Sequence, residues 1–275
     1  MGRDRRDSGV ARFQKQIYNY FSEKARHFPW RRTIDPYKIL VSEVMLQQTQ
    51  ARRVIPFYRL FVKKFPNSEV LAKASKKSVL SAWQGLGYNR RALYLRDAAR
   101  EITRRHDGKV PALYSELTVL PGVGPYTAKA LLAFSFNVLV TMLETNIRSV
   151  FIEFFFKNRK KVRDSEILPL VEKTLDTKNP RTWYWALMDY GAMLKAKGGN
   201  PSRKSVHHIR QSPFRGSQRE LRGRLVKLFL AHRIVTVADC SRQTEFSPSK
   251  IRTALLALSQ EGFVRKEGRY FRIGS

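Results

Sequence analysis

Leu120-Pro121-Gly122-Val123-Gly124-Pro125-Tyr126-Thr127 is the stretch whose reading decides the fold. A proline followed by two glycines one residue apart spells a tight turn that draws on positive φ, and Pro125 suits the first turn of the helix that follows. Such a turn aims several backbone N–H groups at one point. With the positive end of a helix behind them these amides form an anion site, and in so basic a chain a nucleic-acid phosphate is the natural occupant. One apolar helix later (Ala128 to Phe136) comes Met142-Leu143-Glu144-Thr145-Asn146. Its carboxylate stands between hydrophobic runs, where it is costly unless paired or used.

The chain has 275 residues, with 53 Lys or Arg against 22 Asp or Glu, a formal charge of +31. A globular chain gains nothing by repelling itself this strongly, so the expected partner is a polyanion, nucleic acid ahead of a membrane surface. The hydrophobic content of 43% is enough for a real core, in one large domain or two modest ones. Cys240 is the only cysteine, which leaves no intrachain disulfide and no cysteine-ligated cluster, and fits a reducing cytosol. His207 and His208 are adjacent, so their side chains diverge, and no metal site is expected. No apolar run approaches the roughly 20 residues of a membrane helix, and a signal-peptide core is lacking. The location expected is cytoplasmic and nucleoid-associated.

Along the chain, residues 1–12 are charged and expected to be frayed. Helical spacing runs from Phe13 to Ala25, broken by Phe28-Pro29-Trp30-Arg31-Arg32. Pro36 precedes a helix that carries Glu43 near its end and runs into the polar cluster Gln47-Gln48-Thr49-Gln50. Further helices are read over Ala51 to Phe65, Val70 to Ala74, Lys77 to Gln84 and Leu93 to His106. Between the last two stands Gly85-Leu86-Gly87-Tyr88-Asn89-Arg90-Arg91, where glycines allow a close approach and Tyr88 can stack on a base or simply pack. Ile147 to Phe156, Ile167 to Leu175 and Trp183 to Lys195 are helical as well, so the first two thirds should be all-helical. Residues 196–218 read as a basic linker or arm for the phosphate backbone. In residues 219–275 helices precede two short strands turning at Glu267-Gly268, a pattern resembling a winged helix-turn-helix.

The turn and the Glu144 segment resemble the helix-hairpin-helix DNA glycosylases. Ser42-Glu43-Val44-Met45-Leu46-Gln47-Gln48-Thr49-Gln50, Gly85-Leu86-Gly87-Tyr88 and Met188-Asp189-Tyr190-Gly191-Ala192-Met193 are similar to their adenine glycosylase branch, called MutY. The resemblance covers residues 28–194, with the motifs in family order. It implies a mainly α, helix-hairpin-helix glycosylase domain over residues 13–195, joined to the small winged-helix-like α+β module. Cleaving a base from deoxyribose passes through an oxocarbenium-like transition state, for which two carboxyl groups on opposite tasks make sense. By the resemblance Glu43 protonates the leaving base, Glu144 stabilises the cationic sugar or activates water, and Asn146 positions water and substrate. As a plain alternative, Asn146 caps the helix after it. Gln47 wedges into the base stack, with Gln48 and Thr49 beside it, and Tyr88 enters next to the opposite base. Arg31, Arg90, Arg91, Gly122, Val123, Gly124 and Thr127 complete the expected DNA contacts.

Three departures qualify the resemblance. Glu144 stands where relatives carry aspartate, and its extra methylene moves the charge outward by roughly 1.5 Å, in a setting where 1 Å can cost about 100-fold in rate. That points to a slower enzyme, a different base, a remodelled site or an inactive one. Tyr126 occupies the place of the Schiff-base lysine of bifunctional relatives, so no lyase activity is expected, and Lys129 should face elsewhere. The four cluster cysteines are missing, with Lys195 at the first of them, and no cofactor is expected. The C-terminus does not match the domain that reads 8-oxoguanine. The sequence therefore implies a monomer that acts on double-stranded DNA carrying a mispair or damaged base. Adenine opposite guanine or 8-oxoguanine is favoured over thymine, uracil or another base, and a non-catalytic DNA-binding protein is the remaining reading.

Overall fold

The computed structural model describes residues 2–210, 213–232 and 234–274, with side chains from residue 9 onward. In chain order the first helices are α1 (Gly2–Lys24), α2 (Pro36–Leu46), α3 (Ala51–Lys64), α4 (Ser68–Lys73), α5 (Lys76–Trp83) and α6 (Arg90–Arg105). They are followed by α7 (Tyr114–Thr118), α8 (Pro125–Phe136), α9 (Thr145–Phe155), α10 (Asp164–Lys173) and α11 (Pro180–Lys197). The remainder is α12 (Gln218–Ala231), β1 (Val235–Thr236), α13 (Val237–Gln243), α14 (Pro248–Gln260), β2 (Val264–Glu267) and β3 (Tyr270–Ile273). Among the described residues no helix is long and apolar enough to cross a membrane.

Two compact units emerge, and neither is continuous in sequence. The first comprises Met1–Ile39, Ala112–Thr118 and Val123–Arg210. Its core gathers around Phe13, whose ring meets Phe154 edge-on at 4.9 Å and Trp183 at 5.8 Å. Beside it lies the buried charge cluster of this unit. Asp189 on α11, with no side-chain exposure, accepts from both terminal nitrogens of Arg31 at 2.8 Å and from Arg26 Nε at 2.6 Å. Arg31 is thereby committed to the interior instead of the DNA contact expected of it: a guanidinium facing both oxygens of a buried carboxylate is held bidentately.

The second unit comprises Leu40–Pro111, Val119–Gly122 and Gln211–Ser275. Helices α3 to α6 close around Phe61 and Trp83, whose rings meet edge-on at 5.6 Å. Against α5 packs α12, and Lys76 Nζ donates to Gly262 O at 3.0 Å. The C-terminal elements run α12-β1-α13-α14-β2-β3, with an antiparallel sheet in the order β1-β3-β2 and Val235 paired with Phe271. That is the winged-helix arrangement read from the sequence, with Ser247 capping α14, Pro248 at its first position and Gly268 turning the hairpin at φ 59°.

Several boundaries differ from the sequence reading. The charged N-terminus, expected to be frayed, is helical from Gly2, since nothing in it breaks the helix that begins to bury its apolar face at Phe13. Residues 13–195 do not form one body apart from 219–275, because α12 and Gly262 attach the C-terminal elements to α5. The basic linker is partly structured: Asn200 caps a 3-10 turn at Pro201–Lys204 that packs on α9, and Ser205 bridges to Val162. Gln211 and Ser212 of that linker lie outside the described residues. Neither β1 nor α13 was read, being too short for a periodicity.

Burial raises the carboxyl of Asp189, but Arg31 and Arg26 outweigh it and hold the group below the ordinary range. Its stabilising contribution is therefore complete above the unfolded value of roughly 3.9 and is lost as pH falls through the lower folded value. Asp189→Asn should lower stability by about 3–5 kcal/mol at neutral pH in urea unfolding. The gap to wild type should narrow below about pH 4.

Candidate active site

In the first unit the site is built on the start of α9. Glu144 is its N-cap: Oε1 accepts from Asn146 N at 2.7 Å and Ile147 N at 2.9 Å, and Oε2 from Asn146 Nδ2 at 3.2 Å. Three N–H donors thus face an acceptor-only group, and the carboxylate is folded back onto its own helix. The capping role offered above for Asn146 belongs to Glu144. Asn146 is instead the link between this carboxylate and α11. Its Oδ1 accepts from Lys195 Nζ at 2.8 Å, and a Cβ at Gly191 would stand 2.1 Å from its carbonyl oxygen.

The strand of chain leading into Glu144 is pinned too. Tyr184 donates its hydroxyl to Val140 O at 2.6 Å and accepts from Met142 N at 3.2 Å. Burial pushes this phenol up to about 12, so it keeps its proton at neutral pH. Lys129 Nζ donates to Thr141 O at 2.9 Å. Tyr184, Gly191 and Lys195 were missed as site residues. A glycine in mid-helix was the available signal for the second, since it costs about 1 kcal/mol unless something must come close.

In the hairpin, Gly122 takes φ 76°, and a Cβ there would lie 2.7 Å from that of Tyr94. Gly124 does not need positive φ, contrary to the sequence reading: at φ −83° it is the N-cap of α8, with Pro125 next. Gly122 and Gly124 are exposed, Tyr126 is half-buried, and the side chains of Val123 and Thr127 are buried. Only the backbone of Val123 and Thr127 is therefore suited to a ligand, and Val123 fills core instead.

In the second unit Glu43 lies at the start of the last turn of α2, 7% exposed. The polar cluster after it turns at Gln48, exposed and at φ 53°. Arg91, expected on the DNA, is buried and holds this loop from within. It donates to Val44 O and Met45 O at 2.8 Å, Gln47 O at 2.6 Å and Thr49 Oγ1 at 3.1 Å. It also donates to Gly87 O at 3.0 Å and Tyr88 O at 3.4 Å, so its donors are spent on the protein. Tyr88 sits at φ 50°, a strained conformation for an aromatic residue. Its hydroxyl accepts from Arg219 at 2.6 Å, and Arg91 and Arg219 lie 5.2 and 5.6 Å from its ring centre. Arg90 is exposed beside Tyr94. Among the described residues no group of three or more His, Cys, Asp or Glu is gathered as metal ligands would be.

Residues 41–173 match the family described as HhH-GPD superfamily base excision DNA repair protein. The adenine DNA glycosylase of Buchnera aphidicola subsp. Baizongia pistaciae is 37% identical over 188 residues, 67% of this chain and 52% of that protein. That of Mycolicibacterium smegmatis is 35% identical over 182 residues, 65% of this chain and 62% of its own. The chain thus spans about half to three fifths of the length of these relatives. A thermostable thymine-DNA glycosylase structure superposes with a TM-score of 0.61 at 28% identity, over 68% of this chain and 88% of that one. The fold is that of the helix-hairpin-helix glycosylases, extended by the winged-helix module.

Because a methyl at residue 191 has no room against the Asn146 carbonyl, Gly191→Ala must push α11 from α9. The expected loss is about 3 kcal/mol or more in denaturant unfolding, against less than about 1 for an exposed position of the same helix such as Lys197→Ala.

Proposed function

We propose, from the match of residues 41–173 to the helix-hairpin-helix base excision DNA repair family, that the chain is a member of it and a monofunctional DNA glycosylase. It flips a base from duplex DNA and hydrolyses the N-glycosidic bond, with adenine opposite guanine or 8-oxoguanine as the substrate. The observation that carries this reading is a pair of carboxylates in contrasting surroundings. Glu43 is almost wholly buried at the end of α2, whereas Glu144 is half-exposed and ringed by N–H donors. The reaction asks one carboxyl group to give a proton to the leaving base and a second to stand charged beside a cationic sugar, and these two glutamates offer different surroundings for the two tasks. Asn146 orients water, and Tyr126 borders the sugar without supplying an amine. Lys129 is taken up by the Thr141 carbonyl, which supports hydrolysis without a covalent step.

The duplex is held by the exposed amides around Gly122 and Gly124, by the backbone of Val123 and Thr127, and by the Gln47-Gln48-Thr49 loop. Tyr88 and Arg90 meet the bases and the phosphates beside them, and the basic wing formed by Arg265, Lys266, Arg269 and Arg272 adds charge. No metal or cluster takes part, and the enzyme works as a monomer in the cytoplasm, at the nucleoid. A second reading, excision of thymine or another base, is favoured by the likeness to the thymine-DNA glycosylase structure.

Labelled duplexes with single mispairs or lesions, treated with alkali after incubation, test these readings together. Product from adenine-containing mispairs alone is expected, unaffected by chelator, with no adduct trapped by borohydride. Glu43→Gln should slow single-turnover excision by about 100-fold or more. Product from thymine or uracil only would move the substrate assignment, and binding without product from any duplex would reduce the protein to a DNA-binding one.

A further inference from the structure

We infer that Lys195 is a positioning residue for Glu144, acting through Asn146: its ammonium dictates which way the Asn146 side-chain amide points and so keeps an N–H donor on the carboxylate. An ammonium has donors only, and an ionised carboxylate acceptors only. Asn146 stands between the two, with Oδ1 2.8 Å from Lys195 Nζ and Nδ2 3.2 Å from Glu144 Oε2. Turning the amide over would set its NH2 against the ammonium and its oxygen against the carboxylate, two repulsions where there are now two attractions. The face of α11 explains why a lysine reaches this point. Gly191, one helical turn earlier on the same face, lets the backbone come against the Asn146 carbonyl, and Lys195 then extends alongside its side chain.

The charged groups around Lys195 are Glu144, which caps α9, Arg148 on α9 and Arg26 beyond α1. Arg148 is itself paired with Asp164 of α10 at 2.7 Å, and Arg26 with Asp189. Burial, then Arg148 and Arg26, lower the lysine's proton affinity, while Glu144 opposes them. The ammonium is therefore lost at a lower pH than that of a free lysine. Once neutral, the amine can accept a hydrogen bond, the amide is free to turn over, and Glu144 loses one of its three donors.

This inference rests on Glu144 as the group that carries charge in the reaction, and full-length protein tests it. Lys195→Met should slow single-turnover excision by about 10- to 100-fold while the duplex Kd stays within about threefold. Lys195→Arg should restore most of the rate. Wild type should lose rate on the alkaline side, and that fall should be missing from Lys195→Met. Unchanged rate and alkaline limb in Lys195→Met would overturn the inference, as would equal losses of rate, binding and Tm in both variants. A readout apart from activity is the side-chain amide resonance of Asn146 in wild type. It should move with the titration of Lys195 and with Glu144→Gln. A resonance indifferent to both overturns the inference even if the protein excises no base, whereas wild type without product on any duplex, its amide still titrating, sinks only the glycosylase reading.

Discussion

A single buried guanidinium fixes the relation between the two loops of the second unit that matter most. Arg91 reaches six acceptors, spread over the end of α2, the Gln47–Thr49 turn and the Gly87–Tyr88 backbone. Burial lowers its pKa to about 10, so the charge is kept at neutral pH and its field falls on carbonyl dipoles in place of water. No other side chain could do this. Lysine has three donors on a point charge, whereas the planar fork of arginine spans two segments of backbone at once. The left-handed residues on either side, Gln48 and Gly85, Gly87 and Tyr88, become tolerable because their carbonyl neighbours are held from below.

Charge in the interior of the first unit follows a similar logic. Asp189 is surrounded by Arg26 and Arg31, and Glu144 by N–H groups of its own helix together with Asn146. With +31 overall, this chain has few acidic residues to place, and it places two of them where a positive neighbour or a helix start is already present. A glutamate at residue 144, where the resemblance leads one to expect aspartate, becomes intelligible in that light. A longer side chain still reaches the first amides of α9 by folding back, and the amide of Asn146, braced by Lys195, takes up the second oxygen.

What could be read from the sequence depended on whether the signal was local. The turn at Gly122, Pro125 at the head of α8, the Ser247-Pro248 cap and the wing at Gly268 were all legible, because each is written in the residues that form it. The destiny of the arginines was not. Arg31 and Arg91 share their composition with the basic surface, and only the fold reveals that their partners lie 158 and up to 47 residues away. Lys195 is a similar case: an exposed-looking residue at the end of a helix acquires its meaning from Asn146, 49 residues earlier. The division into units was hidden for the same reason, since the attachment of α12 to α5 depends on apolar faces that look self-sufficient in isolation.

The hydroxyl of Tyr88 is held by Arg219, 131 residues further along, and Lys76 is tied to Gly262, 186 residues away. Removing the C-terminal module would take away the guanidinium that holds the Tyr88 hydroxyl, so that module and the loop carrying Tyr88 behave as one mechanical piece.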